Sequence, residues 1–370
     1  MYKHSTYNHQ KWQCSNRIIM QLQGGINMNV SIIGVTGYSG IELVRILLQH
    51  PNVAISSIHS HSQNGKDIDE YLPHLNRLLD LPLEPIDPIK IMEKADLVFF
   101  ATPSGISKEI ATVFIEANFP VIDLSGDFRL KANGQYEKWY KNSSAPYELL
   151  QDAHYGLADF YASPSSNLIA NPGCYATGTL LSLAPLVQEE IIEENSIIVD
   201  AKSGLSGAGK NLSESSHFVN SNENMTLYKM NSHQHIPEIM QQLKKWNTHI
   251  PAIQFSTSLI PVTRGIFITT YARGQEKLTQ ETLLNLFQRF YQSKPFVRMQ
   301  EQNSYPNLRQ IIGSNYCDIG VAYNEVTNII TVVTVLDNLV KGAAGQAVHN
   351  LNHLAGWPET TGLKLVPIYP

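Results

Sequence analysis

Cysteine is scarce in this chain of 370 residues, which contains three widely spaced cysteines, Cys14, Cys174 and Cys317. An odd number at this spacing excludes a disulfide framework and a CxxC zinc site, and no metal site is predicted. It suits a reducing compartment, so we expect a cytoplasmic protein. A cysteine with a function here is expected to act as a reactive thiol.

Long apolar runs and long basic runs are also missing. No stretch approaches the roughly 18 consecutive apolar residues that suggest a membrane span. The formal charge is −5, from 27 Lys and Arg against 32 Asp and Glu, and such a mildly acidic chain is a poor ligand for nucleic acid. We therefore expect neither a membrane nor a nucleic acid as partner.

Acidic residues are absent from residues 1–27, which contain Lys3, Lys11 and Arg17. This leader lacks both the apolar core and the small-residue cleavage site of a secretory signal. It is also less rich in arginine than a mitochondrial presequence. We predict that residues 1–27 are a disordered or non-native extension, and that folding starts at Met28.

The chain after residue 28 has two different patterns of predicted secondary structure. Strand patterns at 29–34, 53–58, 96–101 and 121–124 alternate with helix patterns at 39–50 and 104–117, which predicts an α/β fold with a parallel Rossmann-type sheet. Beyond residue 170, strand patterns follow one another more directly, which favours an α+β domain with a mixed or antiparallel sheet. These later strand patterns lie at 196–201, 253–261, 266–272 and 329–336.

The change in the pattern of predicted strands and helices suggests a division into domains. We expect residues 28–172 to form a dinucleotide-binding domain, joined by a C-terminal segment, 339–370, that begins as a helix over 339–354. Residues 173–338 are expected to form the catalytic, substrate-binding and oligomerisation domain.

A glycine turn with the spacing G-x-x-G-x-x-G lies between the first predicted strand and the first helix. Glycines at this junction allow a tight turn, and the helix amides behind it bind a pyrophosphate. A glycine turn without a ligand is the alternative. The predicted cofactor contacts in the turn are Gly34, Thr36, Gly37, Tyr38, Ser39 and Gly40.

The loop after the second predicted strand contains hydroxyls and a lysine but no acid. An NAD enzyme places a carboxylate there for the ribose 2′-hydroxyl, whereas Ser60, Ser62 and Lys66 could bind a 2′-phosphate. The loop therefore favours NADP(H) over NAD, unless it is merely a polar surface loop.

Cys174 follows a Pro-Gly turn and falls at or near the first position of a predicted helix. The helix dipole and the free amides there favour a thiolate, so we predict a lowered pKa and a nucleophilic role. A thiol beside a nicotinamide can hold an acyl group as a thioester that receives a hydride. Cys317, in a strand-like stretch, fits an inert buried cysteine.

Four segments together resemble the N-acetyl-γ-glutamyl-phosphate reductases, enzymes of arginine biosynthesis that are grouped with the aspartate-semialdehyde dehydrogenases. The resemblance covers the chain from about Met28 to its C-terminus. The segments are NPGCYAT at 171–177, KSGLSGAG at 202–209, HQHIPE at 233–238 and DNLVKGAAGQA at 337–347.

The resemblance implies NADPH-dependent reduction of N-acetyl-L-glutamyl 5-phosphate to the 5-semialdehyde through a Cys174 thioester, in a homo-oligomer (dimer or tetramer). Either His233 or His235 would be the acid/base; their spacing puts both on one face of an extended segment, with Pro237 at the first position of a helix. Two surface histidines are the alternative. Gln234 and Ile236 replace the Arg and Thr usual in this family.

Further contacts are assigned by chemistry and by the resemblance. Arg264 offers a bidentate fork for the substrate carboxylate, and a Gly- and Ser-rich loop offers amides for phosphate. Asn171, with the Cys174 amide, would hold the oxyanion. The remaining predicted contacts are Thr102, Pro103, Ser203, Gly204 and Asn338 for the cofactor, and Ser206, Gly207, Arg129, Lys210 and Glu238 for the substrate; Arg129 and Lys210 could equally form structural ion pairs.

The sequence leaves three alternative functions open. An aspartate-semialdehyde dehydrogenase acts on a shorter substrate, and a lysine-pathway reductase uses the same chemistry on a carried substrate. A non-catalytic NADPH-binding regulator belongs to a different class, and retention of Cys174, His235 and Arg264 argues against it.

Overall fold

A computed structural model describes residues 28–61 and 65–369. The predicted leader, residues 1–27, and the predicted cofactor contact Ser62 lie outside the described residues. Within them the chain forms two seven-stranded sheets flanked by helices. All eight predicted strands are present, with ends that shift by up to three residues.

The first sheet is entirely parallel, with the strand order β3-β2-β1-β4-β5-β7-β6. Its central strands are buried apolar runs, as expected when helices cover both faces. The strands are β1 (Met28–Ile33), β2 (Val53–His59), β3 (Leu83–Glu84), β4 (Leu97–Phe100), β5 (Val121–Asp123), β6 (His154–Tyr155) and β7 (Leu168–Ala170). The helices of this half are α1 (Tyr38–Leu47), α2 (Ile68–Tyr71), α3 (Pro88–Lys94), α4 (Ser107–Glu116), α5 (Gln135–Tyr140) and α6 (Tyr147–Asp152), with a 3-10 turn at Pro73–Leu75.

The second sheet is mixed, with the strand order β12-β13-β14-β11-β8-β10-β9. Only β12–β13 and β8–β10 pair in parallel among its described strands. The strands are β8 (Ile198–Gly204), β9 (Thr226–Tyr228), β10 (Gln254–Ile260), β11 (Ile266–Arg273), β12 (Val297–Met299), β13 (Cys317–Asn324) and β14 (Ile329–Leu336). The helices are α7 (Cys174–Gln188), α8 (Phe218–Ser221), α9 (His235–Trp246) and α10 (Gln280–Tyr291), with 3-10 turns at Leu205–Ala208, Glu214–Ser216 and Leu308–Gln310. The predicted α/β class with a mixed second sheet is confirmed.

The end of the chain returns to the first sheet. The helix predicted over 339–354 is instead a π-helical turn, Val340–Ala344, followed by α11 (Gly345–Leu354). Val348 and Leu351 are fully buried in the same apolar cluster as Val30 of β1 and Leu43 of α1. This return brings the π turn to the start of α7, where Gly342 packs against Cys174.

Candidate active site

A cleft of about 810 Å³ opens at the carboxyl edge of the first sheet, between that sheet and the start of α7. It lies where β1 and β4 meet at the centre of the sheet and the chain order reverses, which is where open α/β sheets bind ligands. Most of the predicted site residues line it. They are Gly34, Thr36, Gly37, Tyr38, Ser39, Ser60, Thr102, Pro103, Arg129, Asn171, Cys174, Ser203, Ser206, Gly207, Lys210, His233, His235 and Asn338.

Five predicted residues do not line the cleft. Gly40 lies behind the glycine turn, against Gly34, and Gly204 lies against the backbone of Thr263 and Arg264. Lys66 is exposed beyond the cleft wall. Glu238 and Arg264 are held by other protein groups, as described below.

The glycine turn leaves the N-terminus of α1 accessible to an anion. Gly34 has φ +88°, a left-handed conformation that side chains disfavour, and it packs tightly on the carbonyl of Ala101. Helix α1 follows at Tyr38, without an acidic residue in its first turn. Its free N–H groups face the cleft and suit the pyrophosphate of a dinucleotide.

Cys174 is the first residue of α7, as the sequence predicts, and Gly173 precedes it as the N-cap. The side chain is half-buried and lines the cleft. The backbone N–H groups of Cys174 and Tyr175 at the start of the helix act on its sulfur electrostatically. The local geometry of the helix start therefore fixes the position of the predicted nucleophile.

The predicted lowering of the Cys174 pKa is wrong for the free protein. Burial raises the pKa of the thiol to about 11, while the two amides and the Arg129 guanidinium oppose this rise. Desolvation of the charged form is the larger effect. The thiol is therefore protonated at neutral pH until a ligand changes its surroundings.

Alkylation of Cys174 by iodoacetamide should report this raised pKa. Because the thiolate is the reactive form, we expect the rate in the free protein to rise about tenfold per pH unit from about pH 7 to pH 9. Peptide mass spectrometry separates Cys174 from the other cysteines. A rate that is already constant between these pH values would show a thiol with a low pKa instead.

The two histidines do not lie on an extended segment. Helix α9 begins at His235, so Pro237 is its third residue and the predicted helix start was wrong. A turn, with the Ile236 N–H bonded to the His233 carbonyl at 3.0 Å, brings the rings to a centroid distance of 4.7 Å. The two rings are close, as predicted, but a turn before α9 brings them together and not the alternation of side chains in an extended segment.

The two rings have different environments. Nδ1 of His233 accepts a hydrogen bond from the His235 N–H at 3.2 Å, so the neutral His233 ring carries its proton on Nε2. The ring of His235 packs directly against Gly173, the residue before the nucleophile, and its Nδ1 has no hydrogen-bond partner among the described residues. His235 is therefore the histidine next to Cys174.

Both histidines are neutral at pH 7. Burial lowers the pKa of His233 to about 3, with a smaller contribution from Lys229. Burial also holds the pKa of His235 well below its usual value, and the neighbouring His233 and Arg129 add to this effect. The free site thus contains a thiol and neutral imidazoles rather than a thiolate–imidazolium pair.

Glu238 supports the catalytic turn from behind. Its Oε1 accepts hydrogen bonds from the Gly173 N–H and the Tyr155 hydroxyl, both at 2.8 Å, and the side chain is fully buried. Its Oε2 lies 3.5 Å from Nη1 of Arg129, whose Nε donates to the Asn171 carbonyl at 2.7 Å. Glu238 is thus placed to hold Arg129 and the turn, not to contact substrate as predicted.

The two asparagines connect parts of the site. Asn171 donates through Nδ2 to the Ala343 carbonyl at 3.1 Å and accepts from Asn350 at 3.0 Å. This side chain holds the π turn, so it is a poorer oxyanion donor than predicted. Asn338 donates to Ser206 Oγ at 2.9 Å and accepts from the Gly265 N–H at 2.7 Å, which fixes the loop after β8.

Arg264 does not face the cleft. Its Nη2 lies 2.9 Å from Oε1 of Glu42 on α1, and its Nε lies 3.1 Å from Oδ2 of Asp337 after β14. The guanidinium is therefore neutralised by two carboxylates of the chain itself. In the free protein Arg264 links α1 to the end of β14, and the carboxylate clamp stays a prediction.

Lys210 extends from the second half of the chain to the glycine turn. Its Nζ donates to the Thr36 carbonyl at 3.3 Å and to the Tyr71 hydroxyl, and it lies 4.5 Å from the centre of the Tyr71 ring. Two lysine or arginine side chains, Lys210 and Arg129, are found among the described residues that line the cleft. Since Arg129 is paired with Glu238, Lys210 is the cation of the cleft without a carboxylate partner among the described residues.

The sequence prediction missed the tyrosines of the cleft. Tyr140 and Tyr228 line it, and Tyr228 donates to the Tyr175 hydroxyl at 3.1 Å. These residues come from separate segments without motif spacing, so no sequence signal identified them. Gln234, where the resemblance leads us to expect arginine, also lines the cleft and accepts from Lys229 at 2.9 Å.

Comparison with known proteins identifies the family. Residues 29–167 match the family model "semialdehyde dehydrogenase, NAD binding domain", and residues 174–338 match "semialdehyde dehydrogenase, dimerisation domain". The chain is 59% identical over 343 residues to an N-acetyl-γ-glutamyl-phosphate reductase from Listeria monocytogenes, covering 93% of this chain and 100% of the relative. This chain belongs to the N-acetyl-γ-glutamyl-phosphate reductase family. Reductases of the same name from Streptococcus mutans (55% identity, 92% and 100% coverage) and Lactococcus lactis (54%, 91% and 98%) agree.

Solved structures of the wider group show the same fold. Aspartate semialdehyde dehydrogenase II from Vibrio cholerae, complexed with ASA, has a TM-score of 0.67 at 18% identity and covers 89% of this chain and 98% of its own. The enzyme from Candida albicans with NADP has a TM-score of 0.66 at 15% identity, with the same coverage. The predicted family and the prediction of an enzyme are confirmed. No helix within residues 28–61 and 65–369 has the length and apolar character needed to cross a membrane.

Proposed function

We propose that this chain reduces N-acetyl-L-glutamyl 5-phosphate to N-acetyl-L-glutamate 5-semialdehyde and phosphate with NADPH, in arginine biosynthesis. One observation carries the proposal: Cys174, at the start of α7, faces the same cleft as the glycine turn and His235. A thiol beside a hydride donor suits the reduction of an acyl phosphate. The family membership gives the substrate.

The cleft fits NADP(H). The tight glycine turn and the free amides of α1 suit its pyrophosphate, and Thr102 Oγ1 is a buried hydroxyl without a hydrogen-bond partner among the described residues. Both Thr102 and Asn338 line the cleft beside Cys174. When bound, the cofactor supplies the hydride for the acyl carbon.

His235 is proposed as the acid/base. It takes the thiol proton as the Cys174 sulfur attacks the acyl carbon, the C–O bond to phosphate breaks, and an acyl thioester forms on Cys174. The anionic substrate favours the imidazolium, which offsets the depressed pKa of His235 in the free site. After reduction the C–S bond breaks, the semialdehyde leaves, and His235 returns the proton to the sulfur.

The substrate anions need cations and amides. Arg129 lines the cleft and acts on Cys174 electrostatically, but Glu238 and the Asn171 carbonyl already engage its guanidinium, so we assign it an electrostatic effect on the substrate anions and no direct clamp. Free N–H groups in the first turn of α7 are the donors for the oxyanion, because the Asn171 side chain is engaged elsewhere.

The reverse assay tests this assignment. Phosphate-dependent reduction of NADP should be at least about 100-fold faster in kcat/KM with N-acetylglutamate semialdehyde than with aspartate semialdehyde, because a missing methylene costs about 1–3 kcal/mol and the lost polar contacts of the acetyl group add to this. Preference for aspartate semialdehyde would instead identify an aspartate-semialdehyde dehydrogenase. Activity only on a protein-carried substrate would identify the lysine-pathway reaction, and no turnover would favour a regulator.

Lys210, rather than Lys66, is our candidate for the cofactor 2′-phosphate. Its ammonium lies next to Thr36, whose hydroxyl is 3.4 Å from Ser60 Oγ at the end of β2. A Lys210→Gln variant should lose roughly 10-fold to 100-fold in kcat/KM with NADPH, because a hydrogen bond to a charged group contributes about 1.5–3 kcal/mol. Its kcat/KM with NADH should change little.

Lys66→Gln is the matched control for this prediction and should behave as wild type with both cofactors. Steady-state kinetics of the two variants decide between the lysines. A loss confined to Lys66→Gln would restore the assignment made from the sequence. Equal losses with NADPH and NADH in Lys210→Gln would show that this lysine does not recognise the 2′-phosphate.

The assembly and location are also proposed. The match of residues 174–338 to a dimerisation domain supports a homo-oligomer, a dimer or a tetramer. We place the enzyme in the cytoplasm, where the thiol of Cys174 stays reduced.

A further inference from the structure

Three metal-ligating side chains meet near the C-terminus, and none of them lines the cleft. His349 and His353 are four residues apart on α11 and so share one face of the helix. Glu359 comes from the segment that follows this helix. One ligand atom from each side chain lies within 4.8 Å of the other two.

The hydrogen bonds of the two imidazoles leave nitrogen lone pairs unused. His353 Nε2 lies 3.1 Å from the Ala158 carbonyl, which can only accept, so this nitrogen carries the proton and Nδ1 has a lone pair. A ring N–H bonded to a backbone carbonyl is also how metal-bound histidines are oriented. Nε2 of His349 faces Oε2 of Glu359 at 3.0 Å, so this nitrogen would be the ligand to an ion held between the two side chains, and Nδ1, which has no hydrogen-bond partner among the described residues, would then carry the ring proton.

Glu359 supplies the negative charge of the cluster. Its Oε2 lies 3.0 Å from Nε2 of His349, and about a third of the Glu359 side chain is exposed, which gives a cation access from solvent. Asp159 and Lys341 also act electrostatically on both histidines. They form a buried ion pair at 2.7 Å and so largely neutralise each other.

We propose that His349, His353 and Glu359 form a site for a divalent transition metal of the zinc type. Two imidazoles and a carboxylate, with water as a fourth ligand, are a common donor set for zinc. The site would fasten the segment after α11 to this helix, where Asn352 already binds the carbonyls of Glu359 and Thr361. Its effect is therefore on stability and not on the chemistry at Cys174.

The probe is zinc itself, added to the full chain in a Cys174→Ser background, which removes the reactive thiol of the cleft. After treatment with a chelator, zinc stoichiometry is measured by equilibrium dialysis and thermal unfolding with and without zinc. We expect the parent to bind one more zinc per chain than His353→Leu or Glu359→Gln. Its Tm should rise by roughly 3–6 °C at about 100 times Kd.

His74→Leu is the control, because His74 is exposed in the 3-10 turn after α2, and it should bind as much zinc as the parent. Glu359→Gln keeps a hydrogen-bond acceptor for His349, so it tests the site even where His353→Leu does not fold. Equal zinc stoichiometry in the parent, His353→Leu and Glu359→Gln would overturn the proposal. So would a Tm that zinc raises equally in all of them. Neither result bears on the reductase activity.

Discussion

The Cys174→Ser variant is expected to lose at least about 1000-fold in kcat, because a serine hydroxyl is far less ionised and less nucleophilic than a thiol. The smaller hydroxyl fits in the position of the sulfur at the start of α7. The glycine turn and Lys210 are untouched, so the Kd for NADPH should stay within about twofold of wild type. Steady-state kinetics and fluorescence titration with NADPH measure both quantities.

Cys317→Ser is the control for this prediction. Cys317 is fully buried in β13 and does not line the cleft, so this variant should keep most of its kcat. A Cys174→Ser enzyme that keeps more than a few per cent of wild-type turnover would exclude a thioester on Cys174. Mass spectrometry of wild type mixed with substrate in the absence of NADPH should show the acyl adduct on the Cys174 peptide.

Replacing His235 by asparagine should reduce kcat by roughly 100-fold to 10,000-fold, the usual range for a lost general acid/base. His235 packs on Gly173, and asparagine leaves space there without adding charge. The KM for substrate should change much less than kcat. The release of phosphate in a single turnover without NADPH should slow by the same factor, because thiol deprotonation belongs to that step.

His233→Asn separates the two histidines. Nδ1 of His233 accepts from the backbone of His235, so it positions the second ring and we expect a loss of only about 10-fold. The pH dependence of kcat provides a further comparison. Only the His235 variant should lose the part of the kcat–pH profile in which the rate follows the titration of the acid/base. A larger loss in His233→Asn than in His235→Asn would reverse the assignment.

The sequence was sufficient wherever the signal is local. The glycine spacing, the strand before it and the helix after it determine the turn that runs from Gly34 to Gly40, because backbone conformation and hydrophobic periodicity act over a few residues. The Pro-Gly turn likewise placed Cys174 at the first position of α7. These local signals determined the family, the α/β class and the position of the predicted nucleophile.

The tertiary structure decided charge and reactivity. Arg264 meets Glu42 across 222 positions of sequence, and Lys210 meets Thr36 across 174, so no local pattern could pair them. The sequence showed that Arg264 has a guanidinium, but only folding placed two carboxylates beside it. For the same reason the sequence could not show that the ammonium of Lys210 contacts the glycine turn at Thr36.

For the Cys174 thiol, the sequence and the tertiary structure also determined different properties. Its position at a helix start is local and predicts a lowered pKa, yet burial in the folded cleft raises the pKa to about 11. Desolvation depends on every segment that packs around a side chain, and here it includes the π turn, whose Gly342 packs against Cys174. The sequence determined where the Cys174 thiol lies in the helix, and the packing of distant segments determined its protonation state in the free protein.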